Sequence, residues 1–389
     1  MTDRLYYQDS YLKQFDARVV DASPDRTLVY LDRTAFYPSS GGQPFDLGLL
    51  GEVAIAEVID EDGRVAHKLT APLEGDTVPG ATVSGTIDWQ RRFDHMQQHT
   101  GQHLLSAVFV EVLHAATLSF HLGSESCTID LGIPALDAAQ IHAVEQRANE
   151  LVFENRPVTI DFQHASEATD LRKPSEREGE LRIVSIDNLD RSACGGTHVR
   201  STGEIGPILI RKLEKIRGNV RVEFLCGMRG VRRARADYEA LAQIARLFSS
   251  SPDETPALVA AQLEKAQEAD KARRRLATEL ATARGRELYL ATEPGAQGLR
   301  KVVRQVESIS DELRAEAQSF AAGSRAAILV LGEAPPSALM AASKDSGLNA
   351  GQWLKTELSA VGGRGGGSPS MAQGSVPSFD LLKRLSANF

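Results

Sequence analysis

Three histidines recur at one spacing in DHMQQHTGQHLLSAVF, residues 94–109: His95, His99 and His103. Each lies four residues beyond the last, close to one helical turn, so on a helix all three imidazoles share a face. Two imidazoles at i and i+4 converge on one point, the arrangement used by helical zinc motifs. Spacing alone admits either pair, 95/99 or 99/103, with His99 common to both. A single histidine is more often an ordinary core or surface residue, but three in register turn the reading toward a metal. Gly101 sits inside the same helix, where glycine costs roughly 1 kcal/mol against alanine. That predicts the close approach of another chain segment or of a substrate.

A second donor pair lies in SACGGTHV, residues 192–199, where Cys194 and His198 repeat the spacing of four. Gly195 and Gly196 between them predict a loop that folds back so that thiolate and imidazole converge. Two histidines with this cysteine and histidine would fill a tetrahedral site of borderline-soft character, which suits zinc. The plainer alternative makes Cys194 a small buried apolar residue and His198 a strand-edge residue. It explains neither the glycines nor the repeated spacing. Cys127 and Cys226 read as core, and three scattered cysteines make no disulfide framework. His114, His121, His142 and His164 read as ordinary.

A third stretch, TAFYPSSGGQPFDLG (residues 34–48), is rich in turn formers. Gly41 and Gly42 allow close backbone approach with N–H groups free to meet a ligand. Thr34 offers a hydroxyl, and Gln43 an amide that donates and accepts. Taken alone, the stretch reads equally well as a hairpin turn.

These groups need elements to position them. Residues 1–87 read as short alternating strands (ARVVDA, TLVYLD, EVAIAEVID, ATVSGTID) and predict a small β-barrel or meander. A helix is expected from Asp88, a candidate N-cap, to about Leu113, with its apolar second half buried. A second helix is expected over 136–154. Strands follow at VTIDFQ, LRIVSID, GPILIRKLEKI and VRVEFLCG. From about 230 the chain is Ala-rich, charged and helical, the texture of a helical hairpin or coiled linker. The last part predicts a helix near 303–321, strands at AAILVLG and ALMAASK, and helices near 350–360 and 378–387. The division is therefore 1–87, 88–232, 233–296 and 297–389.

The 389 residues carry 42% hydrophobic and 25% charged side chains and a formal net charge of −8. There is no long apolar run for a membrane span and no signal-peptide pattern at the start, so a cytoplasmic protein is expected. Without an overall basic balance, nucleic-acid contact must come from local patches. One is RKLEKIRGNVR, residues 211–221, with five basic residues and one acid around a turn at Arg217. Another is GGRGGGSPSMAQGS, residues 362–375, where glycines around Arg364 suit a loop that wraps a phosphate backbone. The alternatives are a solvated hairpin and a flexible linker.

HTGQHLLSA together with CGGTH resembles the HxxxH and CxxxH zinc motif of alanyl-tRNA synthetase editing domains, and especially of the free-standing AlaX-type editing proteins. Related motifs occur in the editing domain of threonyl-tRNA synthetase. The resemblance selects His99 and His103, which Leu-Leu follows, and carries over Cys194 and His198 as the other ligands of one zinc per chain. His95 then stands one turn outside. TAFYPSSGGQ resembles the family's glycine-rich motif, although Ser40 stands where free-standing members often have a third glycine. It implies substrate-facing roles for Gly41, Gly42 and Gln43. It also implies a threonine, Thr34 here, that admits serine and disfavours alanine. The 362–375 stretch resembles the DHHA1 signature, a domain associated with tRNA binding and self-association.

The resemblance spans almost the whole chain. It implies an α+β protein with an N-terminal small β-barrel, an α+β zinc-containing editing domain, a helical linker and a C-terminal α/β DHHA1-like domain. The expected activity is trans-acting, zinc-dependent hydrolysis of serine, and by extension glycine, from mischarged tRNA(Ala), with homodimerisation through the C-terminal domain. No segment resembles a class II aminoacylation core, and no P-loop is present, so charging is not expected. No Ser-His-Asp set is evident, and no catalytic residue is assigned. The alternatives are a non-catalytic tRNA binder with a structural zinc, a zinc hydrolase of small substrates, and editing of Ser-tRNA(Thr).

Overall fold

A computed structural model describes residues 1–74, 79–176, 178–295 and 297–389. The chain divides into two compact units, Met1–Gln243 and Ile244–Phe389.

In the first unit, six antiparallel strands pair in the order Gln14–Ala22, Leu28–Leu31, Arg64–Leu69, Val53–Glu61, Gly48–Leu50, Thr82–Ile87, and the last pairs back with the first to close a barrel. Alternation along these strands sends Phe15, Val29, Leu31, Leu50, Val58 and Val65 inward. Helix α1, Trp89–Leu113, follows directly, and Asp88 caps it by accepting from Arg91 N. From His95 to Phe109 every residue of α1 is buried. Helix α2, Ala138–Phe153, opens with a full capping box formed by Asp137 and Gln140. Beside the helices lies a four-stranded sheet ordered Ile208–Ile216, Asn219–Cys226, Cys127–Leu131, Thr117–Leu122. Their shared core includes Met96, Leu104, Phe109, Ile129, Leu151 and Phe224. A smaller sheet pairs Val158–His164, Glu180–Ile186 and Asp190–Ala193. Helix α3, Gly227–Leu247, follows the four-stranded sheet.

The second unit takes in the last residues of α3, from Ile244, and continues with the long helix α4, Thr255–Ala291. Helices α5 (Asp311–Ala321), α6 (Ala350–Ala360) and α7 (Phe379–Asn388) accompany a five-stranded sheet. Its order is Arg300–Val306, Ala326–Gly332, Ser337–Ala342, Met371–Ser375, Arg364–Gly367, with only the first pair parallel.

Two elements differ from the sequence reading. The helix expected over 303–321 is a strand to Val306 and a helix only from Asp311. Exposure alternates along Arg300–Val306, and the strand pairs in parallel with Ala326–Gly332, so tertiary pairing overrides a locally ambiguous pattern. The glycine-rich stretch around Arg364, expected as a phosphate-wrapping loop, contains two paired strands. Its glycines let α6 close down on the sheet: a Cβ on Gly365 or Gly374 would lie 2.4 or 2.2 Å from Leu358 Cδ1. No helix among the described residues is long and apolar enough to cross a membrane.

Candidate metal centre

Helix α1 presents His99 and His103, and the loop after strand Asp190–Ala193 presents Cys194 and His198. The four donor atoms all lie within 4.8 Å of one another. Cys194 Sγ is 3.4 Å from His99 Nε2 and 3.3 Å from His198 Nε2. Zinc with bonds of about 2.0–2.3 Å in a tetrahedron separates its donors by about 3.3–3.6 Å, so the set fits that ion in size and type. The three histidines are between 1% and 4% exposed.

Each imidazole is turned by a second partner. Gln43 Oε1 accepts from His99 Nδ1 at 2.8 Å and from Thr197 N at 3.1 Å. A backbone N–H can only donate, so the amide oxygen is the atom facing His99, and His99 Nε2 is left for the cluster. Gln43 Nε2 in turn donates to Thr197 Oγ1 at 2.8 Å. His103 Nδ1 donates to Asp190 Oδ2 at 3.0 Å, and Asp190 is held by Arg172 Nε at 2.6 Å and by Ser192. His198 Nδ1 lies 3.1 Å from Thr100 Oγ1, which also accepts from Val199 N. Partners of this kind fix tautomer and ring orientation in metal sites.

Charge in the cluster also favours a cation. Burial opposes ionisation of Cys194, but the facing imidazoles hold its thiol well below the usual range. Burial lowers His103, yet Asp190 and the Cys194 thiolate more than offset this and raise it to about 9. Burial raises Asp190, and the hydrogen bond from His103 outweighs that to hold it at about 2. His198 is pushed down to about 3, by burial first and then by His99. The donors thus surround a point that calls for positive charge.

The local folding of the two loops follows from their glycines. A Cβ on Gly196 would lie 2.2 Å from His99 Cε1, so only glycine lets the Cys194–His198 loop reach α1. Gly41 and Gly42, with φ of +53° and +83°, turn the chain between Ser40 and Gln43, which bridge each other. Positive φ at both central residues is what a type I′ turn requires. Phe120 covers Gly42, where a Cβ would meet its ring at 2.8 Å, and the same ring lies 6.1 Å from that of His99. The turn is anchored from below by Arg92, which is fully buried with Asp46. Arg92 Nε reaches both Asp46 oxygens at 3.0 Å, and Nη1 donates to Ser10 O at 2.9 Å.

Of the residues singled out by sequence, His99, His103, Cys194, His198 and Gln43 come together, with Gly41 and Gly42 beside them. Gly41 and Gly42 are exposed residues, and their N–H groups make no hydrogen bond within the described residues. Thr34 is 0% exposed, and its hydroxyl is already engaged. His67 Nδ1 donates to Val29 O at 3.1 Å, so Thr34 Oγ1 donates to His67 Nε2 at 2.8 Å while accepting from Phe36 N. Arg217 stands exposed at a hairpin tip with φ of +49°, and Arg364 is exposed on its strand in the second unit. His95 lies outside the cluster, neutral through burial, which lowers it to about 4. Sequence reasoning missed Asp190, Thr100, Arg172, Arg92 and Asp46. The proximity of Asp190 to Cys194 and of Thr100 to His99 was the only local signal.

Residues 181–223 match the family described as the threonyl and alanyl tRNA synthetase second additional domain. The chain is 33% identical to the alanine–tRNA ligase of Pyrococcus furiosus over 98% of its own length and 43% of the ligase, so it spans less than half of such relatives. It is 37% identical to the alanyl-tRNA editing protein AlaX-M of Methanosarcina acetivorans, covering 58% of this chain and 98% of that one. It is 31% identical to the alanyl-tRNA editing protein AlaX-L of Pyrococcus horikoshii, over 97% of this chain and 95% of that one. With the motif residues assembled around one buried donor set and near end-to-end correspondence to AlaX-L, the chain belongs to the alanyl-tRNA editing protein family.

Proposed function

We propose that this protein is a zinc-dependent aminoacyl-tRNA deacylase that hydrolyses the ester of serine, and by extension glycine, on mischarged tRNA(Ala). The observation that carries the reading is the cluster of His99, His103, Cys194 and His198 beside the Gly41 and Gly42 N–H groups, which have no hydrogen-bond partner among the described residues. Those four residues hold one zinc. A bound zinc supplies Lewis acidity and an anchor for a substrate amine or oxygen. The Gly41 and Gly42 N–H groups are suited to receive the charge that develops on the ester oxygen. Gln43 keeps His99 oriented while lining the same turn. Thr34, bonded to Phe36 N and His67 in the barrel, is assigned the discrimination of serine, its hydroxyl exchanging the bond to His67 for one to the substrate. A site built to bond a hydroxyl disfavours the analogue lacking one, because a buried polar group would go unpaired.

The exposed Arg217 and Arg364 are proposed to meet the tRNA backbone. The domain division 1–87, 88–232, 233–296 and 297–389 is proposed on the same footing, as is a cytoplasmic site of action. Homodimerisation is proposed through the C-terminal domain. A second reading, a tRNA-binding protein whose zinc only staples the fold, draws support from the four protein ligands, which complete a tetrahedron.

The test uses alanine tRNA charged with labelled serine or labelled alanine. Ester loss is followed with the protein as isolated, after chelation, and with Cys194→Ala, while circular dichroism monitors folding. Rapid loss of serine, slow loss of alanine and collapse in the chelated and substituted samples are expected. A folded, zinc-loaded protein that binds the tRNA and leaves the seryl ester intact would make the second reading the correct one.

A further inference from the structure

The third histidine of the opening stretch belongs to a different cavity. His95 lines a cavity of about 600 Å³ at the start of α1, beside the start of α3. That volume falls within the usual range for small-ligand sites, about 300–1,000 Å³. His95 is 4% exposed, and its Nδ1 has no hydrogen-bond partner among the described residues. A buried polar atom without a partner is uncommon, and this one is itself closed to solvent behind the cavity lining.

The rest of the lining has a consistent chemistry. Trp89 and Phe93, with ring centroids 5.5 Å apart, form an aromatic wall, and Met228, 56% exposed, stands at the mouth. Asp94 is committed to Arg229, whose Nε lies 2.9 Å from both carboxylate oxygens. Asp88 is committed to capping α1 through Arg91 N at 3.1 Å. Arg232 is exposed and has no ion-pair partner among the described residues. Lys13 adds a further cation 4.5 Å from the Trp89 ring centroid. In a chain of net charge −8, residues 228–236 hold four arginines and no acid.

We propose that this cavity takes one unstacked nucleotide of RNA, with its base against Trp89 and Phe93 and its phosphate at Arg232. Aromatic walls with adjacent cations are the way single-stranded nucleotides are held. The proposal rests on the reading of the chain as a tRNA-handling protein, and it names a contact outside the metal centre. A peptide or a second copy of the chain would find little complementarity in a pocket whose acids are already paired and whose free charge is positive.

The chain's two tryptophans, Trp89 and Trp353, permit a direct readout. In a Trp353→Phe background, Trp89 fluorescence is titrated with adenosine and guanosine 5′-monophosphates, with the free nucleosides, and with inorganic phosphate. A saturable change with the nucleotides is expected, about tenfold weaker with nucleoside or phosphate alone. Arg232→Glu, a surface change, should weaken nucleotide binding at least fivefold, and in seryl-tRNA deacylation it should raise KM with kcat unchanged. A silent Trp89, equal response to phosphate alone, or binding indifferent to Arg232→Glu overturns the proposal. If nucleotides bind as described while no seryl ester is hydrolysed, the deacylase reading falls and the pocket stands. If the ester is hydrolysed and Trp89 stays silent, the pocket falls alone.

Discussion

Gln43 shows how one side chain ties two segments into a site. Its amide oxygen receives His99 and Thr197, and its amide nitrogen reaches Thr197 Oγ1, so the turn, α1 and the Cys194 loop share one residue. Removing such a partner typically costs about 10–100-fold in metal affinity. We expect Gln43→Leu to weaken zinc binding by that order, measured by competition with a chromophoric chelator. Retention of parental affinity would show that His99 is oriented without it.

His67 governs a different property. Burial lowers it to about 4, so it is neutral in the barrel core. The unfolded chain binds its proton below about pH 6.5, whereas the folded chain does so only near pH 4. Its contribution to stability is therefore undiminished above pH 6.5 and declines as pH falls toward 4. At pH 5 the loss amounts to about 2 kcal/mol. Urea unfolding at pH 7 and pH 5 should show a pH-dependent loss smaller by about that amount in His67→Leu than in the parent. Identical losses in the two proteins would remove His67 from the account.

At the scale of elements, α1 is the organising piece. It carries two donors, the Thr100 hydroxyl that positions His198, the Arg92 anchor of the glycine turn, and Gly101. A Cβ on Gly101 would lie 2.2 Å from Cys226 Sγ, so the strand ending at Cys226 packs where a side chain would be. Alanine is the better helix former by roughly 1 kcal/mol. Gly101→Ala should nonetheless destabilise the protein by about 1–3 kcal/mol through overpacking. Gly101→Ala/Cys226→Ala should recover most of that loss in denaturant midpoints, and no recovery would mean that the contact is not the cause. Gly101, Cys194 and Gly195–Gly196 could be singled out from sequence because their spacing is local. The pairing of Asp46 with Arg92 could not, because 46 positions separate them and nothing in either neighbourhood signals the other.

At the scale of the molecule, the four candidate metal ligands and the partners of their imidazoles all fall within Met1–Gln243, one of the two compact units. A fragment of residues 1–243 is expected to bind one zinc per chain with near-parental affinity, read by metal analysis after gel filtration. Loss of metal from a fragment with native circular dichroism would place part of the site's support in the second unit. If Arg364 contacts tRNA, the same fragment should bind alanine tRNA more weakly and with a shallower salt dependence.

The sequence by itself offered the candidate metal ligands, because helical spacing and loop glycines are short-range properties that survive without tertiary context, and the family resemblance chose the 99/103 pair over 95/99. It determined α1, α2 and most strands of the first unit for the same reason: their hydrophobic periods are long and unambiguous. Tertiary structure alone decided the rest. It placed Asp190, Thr100 and Gln43 behind the imidazoles, because these pairings join positions 56 to 98 residues apart. It turned the glycines around Arg364 into strands, because α6 packs against them, and it gave residues 300–306 a neighbouring strand that their local pattern did not announce. It also engaged the Thr34 hydroxyl with His67 and set His95 apart in a cavity of its own. Local chemistry names the groups that can react, and only the packing of distant segments settles what each group faces.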